Sequence, residues 1–140
     1  MDINECLDKG YLVKERISQD LVDKEVKESE YDLNKAKNAL KEKDYKWTII
    51  KGYYSMFHSA KAVCFKIGYR EKRHAAVLIV LEELNKKGKL EIKYVNDFKA
   101  ALSARESADY RYAYTKESAL EILEICEEFN NKIIKLLKIL

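Results

Sequence analysis

The sequence predicts an all-α fold, an antiparallel up-and-down bundle of four long helices plus a short N-terminal helix. Three observations carry this. Proline is absent and glycine occurs only 4 times in 140 residues, so the punctuation of a turn-rich β fold is missing. Charged residues make up 36% of the chain and hydrophobic ones 47%, the balance of amphipathic helices with strongly solvated outer faces. Apolar residues also recur at helical spacing in every long segment.

Taken in order, residues 2–12 suit a short helix with Ile3, Leu7 and Tyr11 on one side, weakened by Gly10. Ser18 is a plausible N-cap for a helix reaching about residue 42, with Leu21, Val22, Val26, Leu33, Ala36 and Leu40 inward. Glu28, Ser29 and Glu30 interrupt that stripe, so the helix either runs on with one strongly solvated face or breaks near Ser29. Residues 44–68 form the central helix, where Ile50, Tyr53, Tyr54, Phe57, Cys64 and Ile67 follow the i, i+3, i+4, i+7 pattern. Ile49, Met56 and Val63 add a second apolar face, which implies neighbours on several sides. Asp44 suits its N-cap and Gly68 its stop. Its polar residues Lys51, Tyr54, Ser55, His58 and Lys61 fall in one stripe, either solvated or lining a groove.

Residues 69–73 read as a basic turn, YREKR, before a third helix over 74–86 with Val77, Leu78, Leu81 and Leu84 inward. Gly88 among lysines suits its stop. A fourth helix spans 92–110, and Val95, Phe98, Leu102 and Arg105 lie in line. A last helix covers 116–139, N-capped by Thr115, with a broad apolar face from Leu120 to Leu140. No linker or repeat interrupts the chain, so residues 1–140 are expected to form one domain.

Several function classes are disfavoured. Formal net charge is +3, too small to argue nucleic-acid binding from bulk charge. Cys6, Cys64 and Cys126 are far apart without CxxC spacing, as expected of reduced thiols in a cytoplasmic protein. The first residues carry acids and no apolar h-region, and no apolar run suits a membrane span, so neither a signal peptide nor membrane insertion is expected. The two histidines, His58 and His74, belong to no HExxH or Cys/His cluster, and there is no glycine-rich phosphate loop. No metal and no cofactor are therefore expected.

The segment 105–112, RESADYRY, is the main chemical candidate. Arg105 and Asp109 are four apart on one helical face. They make either a structural clamp, with Tyr110 over the arginine stem, or a phosphate site, because guanidinium suits bidentate phosphate contact. His58, with Tyr54 and Lys61 beside it, is either a hydrogen-bonded structural residue or part of a polar groove. His74 opens a helix near Arg70 and Arg73, either as an anion-binding corner or as a solvated cap. Tyr53, Tyr54, Tyr110, Tyr112 and Tyr114 could stack bases, or simply pack with their hydroxyls outward.

Two segments, GYYSMFHSAKAVCFKIG with the following RHAAVLIVLEEL, and ARESADYRYAYTKESA, resemble the HEPN superfamily, in particular its small stand-alone branch in bacteria and archaea. The resemblance covers residues 43–134. It implies a helical bundle acting as a homodimer, and a toxin-like component partnered by a minimal nucleotidyltransferase antitoxin, with RNA or a nucleotide as ligand. Many members are metal-independent endoribonucleases. In these an Arg steadies the scissile phosphate, and a His after four to six intervening residues acts as general acid/base on the ribose 2′-OH. Arg105 matches the motif Arg; Tyr110 stands where the His would be, and a phenol titrating near pH 10 is a poor base at neutral pH. The resemblance thus carries Arg105 and Tyr110 as the catalytic positions, with His58 or His74 as replacement imidazoles. The residues themselves offer Arg105, Asp109, Tyr54, His58, Lys61 and His74 as phosphate or nucleotide contacts, and the resemblance carries Tyr112 as the tyrosine that a nucleotidyltransferase modifies. A binding module without catalysis is the alternative.

Overall fold

The computed structural model describes residues 1–140. In chain order it contains α1 (Ile3–Asp8), β1 (Leu12–Lys14), α2 (Gln19–Lys41), α3 (Tyr45–Lys66), β2 (Tyr69–Glu71), α4 (His74–Lys86), α5 (Ile92–Tyr110) and α6 (Lys116–Leu137). The all-α architecture is as the sequence predicts. α2, α3, α5 and α6 are the four long helices; α4, with 13 residues, is a shorter fifth against them.

α3 is the axis. The Asp44 side chain caps its first turn by accepting from the Trp47 N–H, and the Thr48 hydroxyl donates back to the Asp44 carbonyl. α3 packs on α2, α4, α5, α6 and β2 at once. A helix so placed cannot be amphipathic, and buried residues run along all its sides from Thr48 to Phe65. The main core joins α3 residues Ile50, Tyr53, Phe57 and Cys64 to Val77 and Leu81 of α4, Phe98 of α5 and Phe129 of α6. α2 runs antiparallel to α3, since Gln19 at its start meets Lys66 at the end of α3. α5 runs antiparallel to α6, since Glu91 and Lys93 at its start pair with Lys132 and Glu128. Gly52 lets α6 approach closely: a methyl group there would lie 3.1 Å from Ile122 Cγ2.

A closed hydrogen-bond ring sets the register of α2, α3 and α6. The Ser29 hydroxyl donates to Ser59 Oγ at 2.7 Å, and Ser59 donates to Asn130 Oδ1 at 2.7 Å. Asn130 Nδ2 donates to Ser55 Oγ at 2.8 Å, and Ser55 donates to the Ser29 carbonyl at 2.7 Å. All four residues are buried. Every hydroxyl proton in the ring has an acceptor, so burial carries little desolvation penalty.

Four sequence readings are settled or corrected. α2 does not break at Ser29: that residue points into the ring, and the helix continues through it. Residues 69–73 are not a turn: Tyr69–Glu71 pairs antiparallel with Leu12–Lys14, aligning Leu12 with Glu71 and Lys14 with Tyr69. That pairing also ends the N-terminal helix at Asp8, short of the expected residue 12. Within α3, Ser55 leaves the polar stripe for the ring, while Lys51, Tyr54, His58 and Lys61 stay partly exposed.

The α2–α3 junction holds a lysine in left-handed backbone. Lys43 has φ 61°. Its N–H bonds to the Leu40 carbonyl, and the Asp44 N–H reaches the Ala39 carbonyl. α4 ends in the same wrap, but there the left-handed position is Gly88, φ 74°. Lys43→Gly is therefore expected to stabilise the protein by up to about 1 kcal/mol, read as a higher denaturant midpoint. Asn130→Ala should lower that midpoint, by about 1–3 kcal/mol, because it strands the Ser59 proton and the Ser55 oxygen in the core.

Candidate functional site

Arg105 arises from the apolar line of α5. Val95, Phe98, Ala101 and Ala108 are buried around it, so its guanidinium is drawn inward and is only 16% exposed. Nη2 donates to the Tyr54 hydroxyl at 3.1 Å and lies 3.3 Å from Asp109 Oδ2. The rings of Tyr53, Tyr54 and Tyr110 surround the guanidinium carbon at 5.4–5.9 Å. The Nε–H is buried and has no acceptor. A buried cationic donor without a protein acceptor is uncommon.

His74 reaches the same place from the start of α4. Its ring stacks on Phe57, centroids 4.1 Å apart, and lies edge-on to Tyr54. Its Nδ1 is 3.5 Å from the Tyr53 hydroxyl, a long contact that leaves Nε2 as the free nitrogen of an exposed residue. Burial against Phe57 and Tyr53 pushes the imidazole below its ordinary value of 6.5; the charges of Arg105, Lys61 and His58 push the same way, and Glu71 opposes them. His74 is therefore a neutral base at pH 7. Burial raises the Tyr53 phenol to about 12, so that hydroxyl keeps its proton.

His58 belongs to a second cluster. Its Nδ1 lies 2.6 Å from Glu25 Oε2 and its Nε2 3.6 Å from Asp32 Oδ2, both on α2. Lys61 bridges Glu25 at 3.5 Å and Glu71 of β2 at 3.2 Å. Burial alone would lower the His58 imidazole, but the Glu25 hydrogen bond and the charges of Glu25 and Asp32 outweigh it and hold it above 6.5. Burial likewise works to raise Glu25, yet His58 and Lys61 prevail and hold it low. Asp32 stays raised because burial outweighs its weaker contact with His58.

The structure thus brings together Arg105, Asp109, Tyr54 and His74, with Tyr110 at the rim, 68% exposed. It does not bring His58 or Lys61 to a free position, since both are engaged by carboxylates. Tyr112 stands outside the guanidinium cluster, 75% exposed and under the ammonium of Lys46. Sequence reasoning missed Glu25 and Glu71, which no local pattern marks; only the α2–α3 register and the β1–β2 pairing bring them to His58 and Lys61. A groove of about 280 Å³ between α2 and α6, lined by Val26, Leu33, Asn130 and Ile134, includes none of the Arg105 cluster. No group of His, Cys, Asp and Glu side chains has the arrangement of a metal site, and no helix is long and apolar enough to cross a membrane.

The sequence matches the HEPN domain over residues 22–137. The chain belongs to the HEPN domain family. This HEPN chain is also 33% identical over 113 residues to a Methanocaldococcus jannaschii protein described as "Putative toxin MJ0605", across 79% of this chain and 84% of that one. The HEPN match runs from the first turn of α2 to the end of α6, so it contains Arg105, His74 and β2, while α1 and β1 lie outside it.

The His58 cluster has a pH signature. A folded-state imidazole held above 6.5 contributes stability that is fully present below pH 6.5 and is lost as pH rises through the raised value. His58→Gln should therefore lower the denaturant midpoint at mildly acidic pH. The gap from wild type should close at alkaline pH; a pH-independent gap would mean that packing, not the Glu25 pair, sets the effect.

Proposed function

We propose that this HEPN chain is a toxin-like protein whose Arg105 site engages a phosphate of RNA or a nucleotide, with His74 as the imidazole beside it. The observation that carries the reading is the Arg105 guanidinium itself, drawn into the protein with its Nε–H unpartnered, next to an exposed, neutral His74. A relative described as "Putative toxin MJ0605" supports the toxin-like part. The resemblance noted above supports a nucleotidyltransferase antitoxin as partner. It also supports a homodimer, for which exposed Leu120, Ile134 and Ile139 are candidate apolar contacts.

The chemistry of such a site is metal-independent transesterification. A neutral His74 Nε2 takes the ribose 2′-hydroxyl proton, and the 2′-oxygen attacks phosphorus. The P–O5′ bond breaks and the leaving 5′-oxygen takes a proton from solvent, to which His74 returns its own, giving a 2′,3′-cyclic phosphate and a 5′-hydroxyl. Arg105 offsets the charge that builds on the phosphoryl oxygens. Tyr110 is a weaker candidate base than His74, being a phenol at the rim, and His58 is already committed to Glu25. Binding without cleavage is the second reading. It is favoured by the Tyr54 and Asp109 contacts, which hold Arg105 in place as a clamp would.

The test is cleavage of a labelled RNA pool in EDTA by the wild type, Arg105→Ala, His74→Gln and His58→Gln. Cleavage should fall roughly 100-fold or more in the first two variants and persist in the third. The wild-type rate should climb with pH below 6.5 and level off above it, as His74 loses its proton. RNA retention without cleavage, lost in Arg105→Ala, leaves the binding reading alone. Retention and cleavage both untouched by Arg105→Ala reduce Arg105 to a structural clamp.

A further inference from the structure

Beside Arg105, the molecule carries exposed aromatic rings that the phosphate reading leaves unused. Trp47 is 45% exposed on the first turn of α3, and Tyr110 and Tyr112 are 68% and 75% exposed where α5 ends. Each ring is paired with a cation. Lys51 Nζ lies 5.7 Å from the Trp47 ring and Lys46 Nζ 5.6 Å from the Tyr112 ring, while the Arg105 guanidinium carbon is 5.4 Å from the Tyr110 ring. Trp47, Lys51 and Tyr54 follow one another along one face of α3, and Tyr54 holds Arg105. The aromatics and cations therefore continue directly from the guanidinium.

Tyr112 adds an independent observation. It has φ 52°, left-handed backbone that an aromatic residue seldom adopts. The Ala113 N–H, bonded back to the Ser107 carbonyl at 2.9 Å, closes the turn around it. This is the position after a helix end where glycine is the usual residue. A strained residue left 75% exposed needs a reason beyond core packing to be aromatic, and strain of this kind collects at ligand contacts.

We infer that Trp47, Tyr112 and Tyr110, with Lys46 and Lys51 between them, form a stacking platform for unpaired nucleobases of a single strand whose phosphate lies at Arg105. Flat rings interleaved with cations suit stacked bases and their phosphates together. A duplex, with its bases stacked on one another, offers these rings nothing. The inference rests on the phosphate reading of Arg105 for its anchor and adds to it the ligand's class: single-stranded, with bases required.

Trp47 is the only tryptophan, so its emission reports the platform directly. The probes are a labelled 2′-O-methyl oligoadenylate, which cannot be cleaved through its 2′-oxygen, a strand of equal length and charge without bases, and a duplex. The oligoadenylate should quench Trp47 and bind at least ten-fold more tightly than the other two. Trp47→Ala and Tyr112→Ala should each weaken oligoadenylate binding by roughly 5- to 100-fold and leave the baseless strand unchanged. Tyr112→Gly should raise the unfolding midpoint while weakening the oligoadenylate, a split that a purely structural tyrosine would not give. Equal affinity for strands with and without bases, or unquenched Trp47, overturns the platform. If that equal affinity still depends on Arg105, the phosphate reading stands by itself; if the oligoadenylate stacks equally well in Arg105→Ala, the platform stands and the phosphate anchor falls. A change of sedimentation in the aromatic variants with strand affinity unaltered would make the patch a protein interface and overturn the inference, as would a wild type that binds none of the strands.

Discussion

The ring formed by Ser29, Ser59, Asn130 and Ser55 is the constraint on which the rest depends. α3 is apolar on nearly every side, and apolar contact alone tolerates sliding and rotation. Hydroxyl and amide groups do not, because each must find a partner once water is excluded. Only one placement of α2 and α6 on α3 closes the ring. That placement turns Tyr53 and Tyr54 toward α5 and His58 toward α2. The chemistry of the surface therefore follows from a polar device at the centre, where serine and asparagine specify what Ile, Val and Phe stabilise.

The two histidines show what that register decides. They are the same group with the same ordinary titration point, and the fold moves them in opposite directions. His58 faces two carboxylates of α2, which favour its charged form; His74 faces two phenols, a phenyl ring and a guanidinium, which favour its neutral form. An imidazole held between Glu25 and Asp32 ties α2 to α3 and has both nitrogens engaged. A neutral imidazole with Nε2 free of protein partners is suited to accept a proton. Glu71 stands between the clusters. Its Oε1 holds Lys61, its Oε2 is buried without a partner, and its charge pulls His74 upward against the other neighbours. β1 keeps Glu71 in line through the Leu12 pairing. A short strand outside the matched HEPN span thus tunes a histidine inside it.

The long helices were legible because periodicity, caps and stops are local properties, and Asp44, Thr115 and Gly88 mark ends within a residue or two. The role of Ser29 was hidden because it depends on two partners, Ser55 and Ser59, at least 26 residues away. The β1–β2 pair was invisible because three residues per strand give no alternation to detect. Arg105 and Asp109 could be placed on one face from their spacing alone. The association of Arg105 with His74 could not, since it runs through Tyr53 and Tyr54 of a different helix. Left-handed Tyr112 was likewise hidden, because aromatic residues at such positions are rare and no sequence rule expects them.

The Arg105–Asp109 pair itself argues against a purely structural clamp. Asp109 sits in the last turn of α5, where the helix dipole disfavours negative charge, and arginine before aspartate is the poorer order for a helical pair. The pair therefore does little for α5. The Asp109 side chain is 34% exposed and the Arg105 side chain 16%, so the aspartate is the more solvated and displaceable partner. Meanwhile Nε is left without an acceptor, although Asp109 lies within reach of the same guanidinium. A clamp built for stability would satisfy both donors. An arrangement that fixes the guanidinium plane through Tyr54 and neutralises it loosely through the more exposed Asp109 suits an oxyanion that displaces that carboxylate. On the proposed reading a phosphate would meet a pre-aimed cation, and water would take back the aspartate.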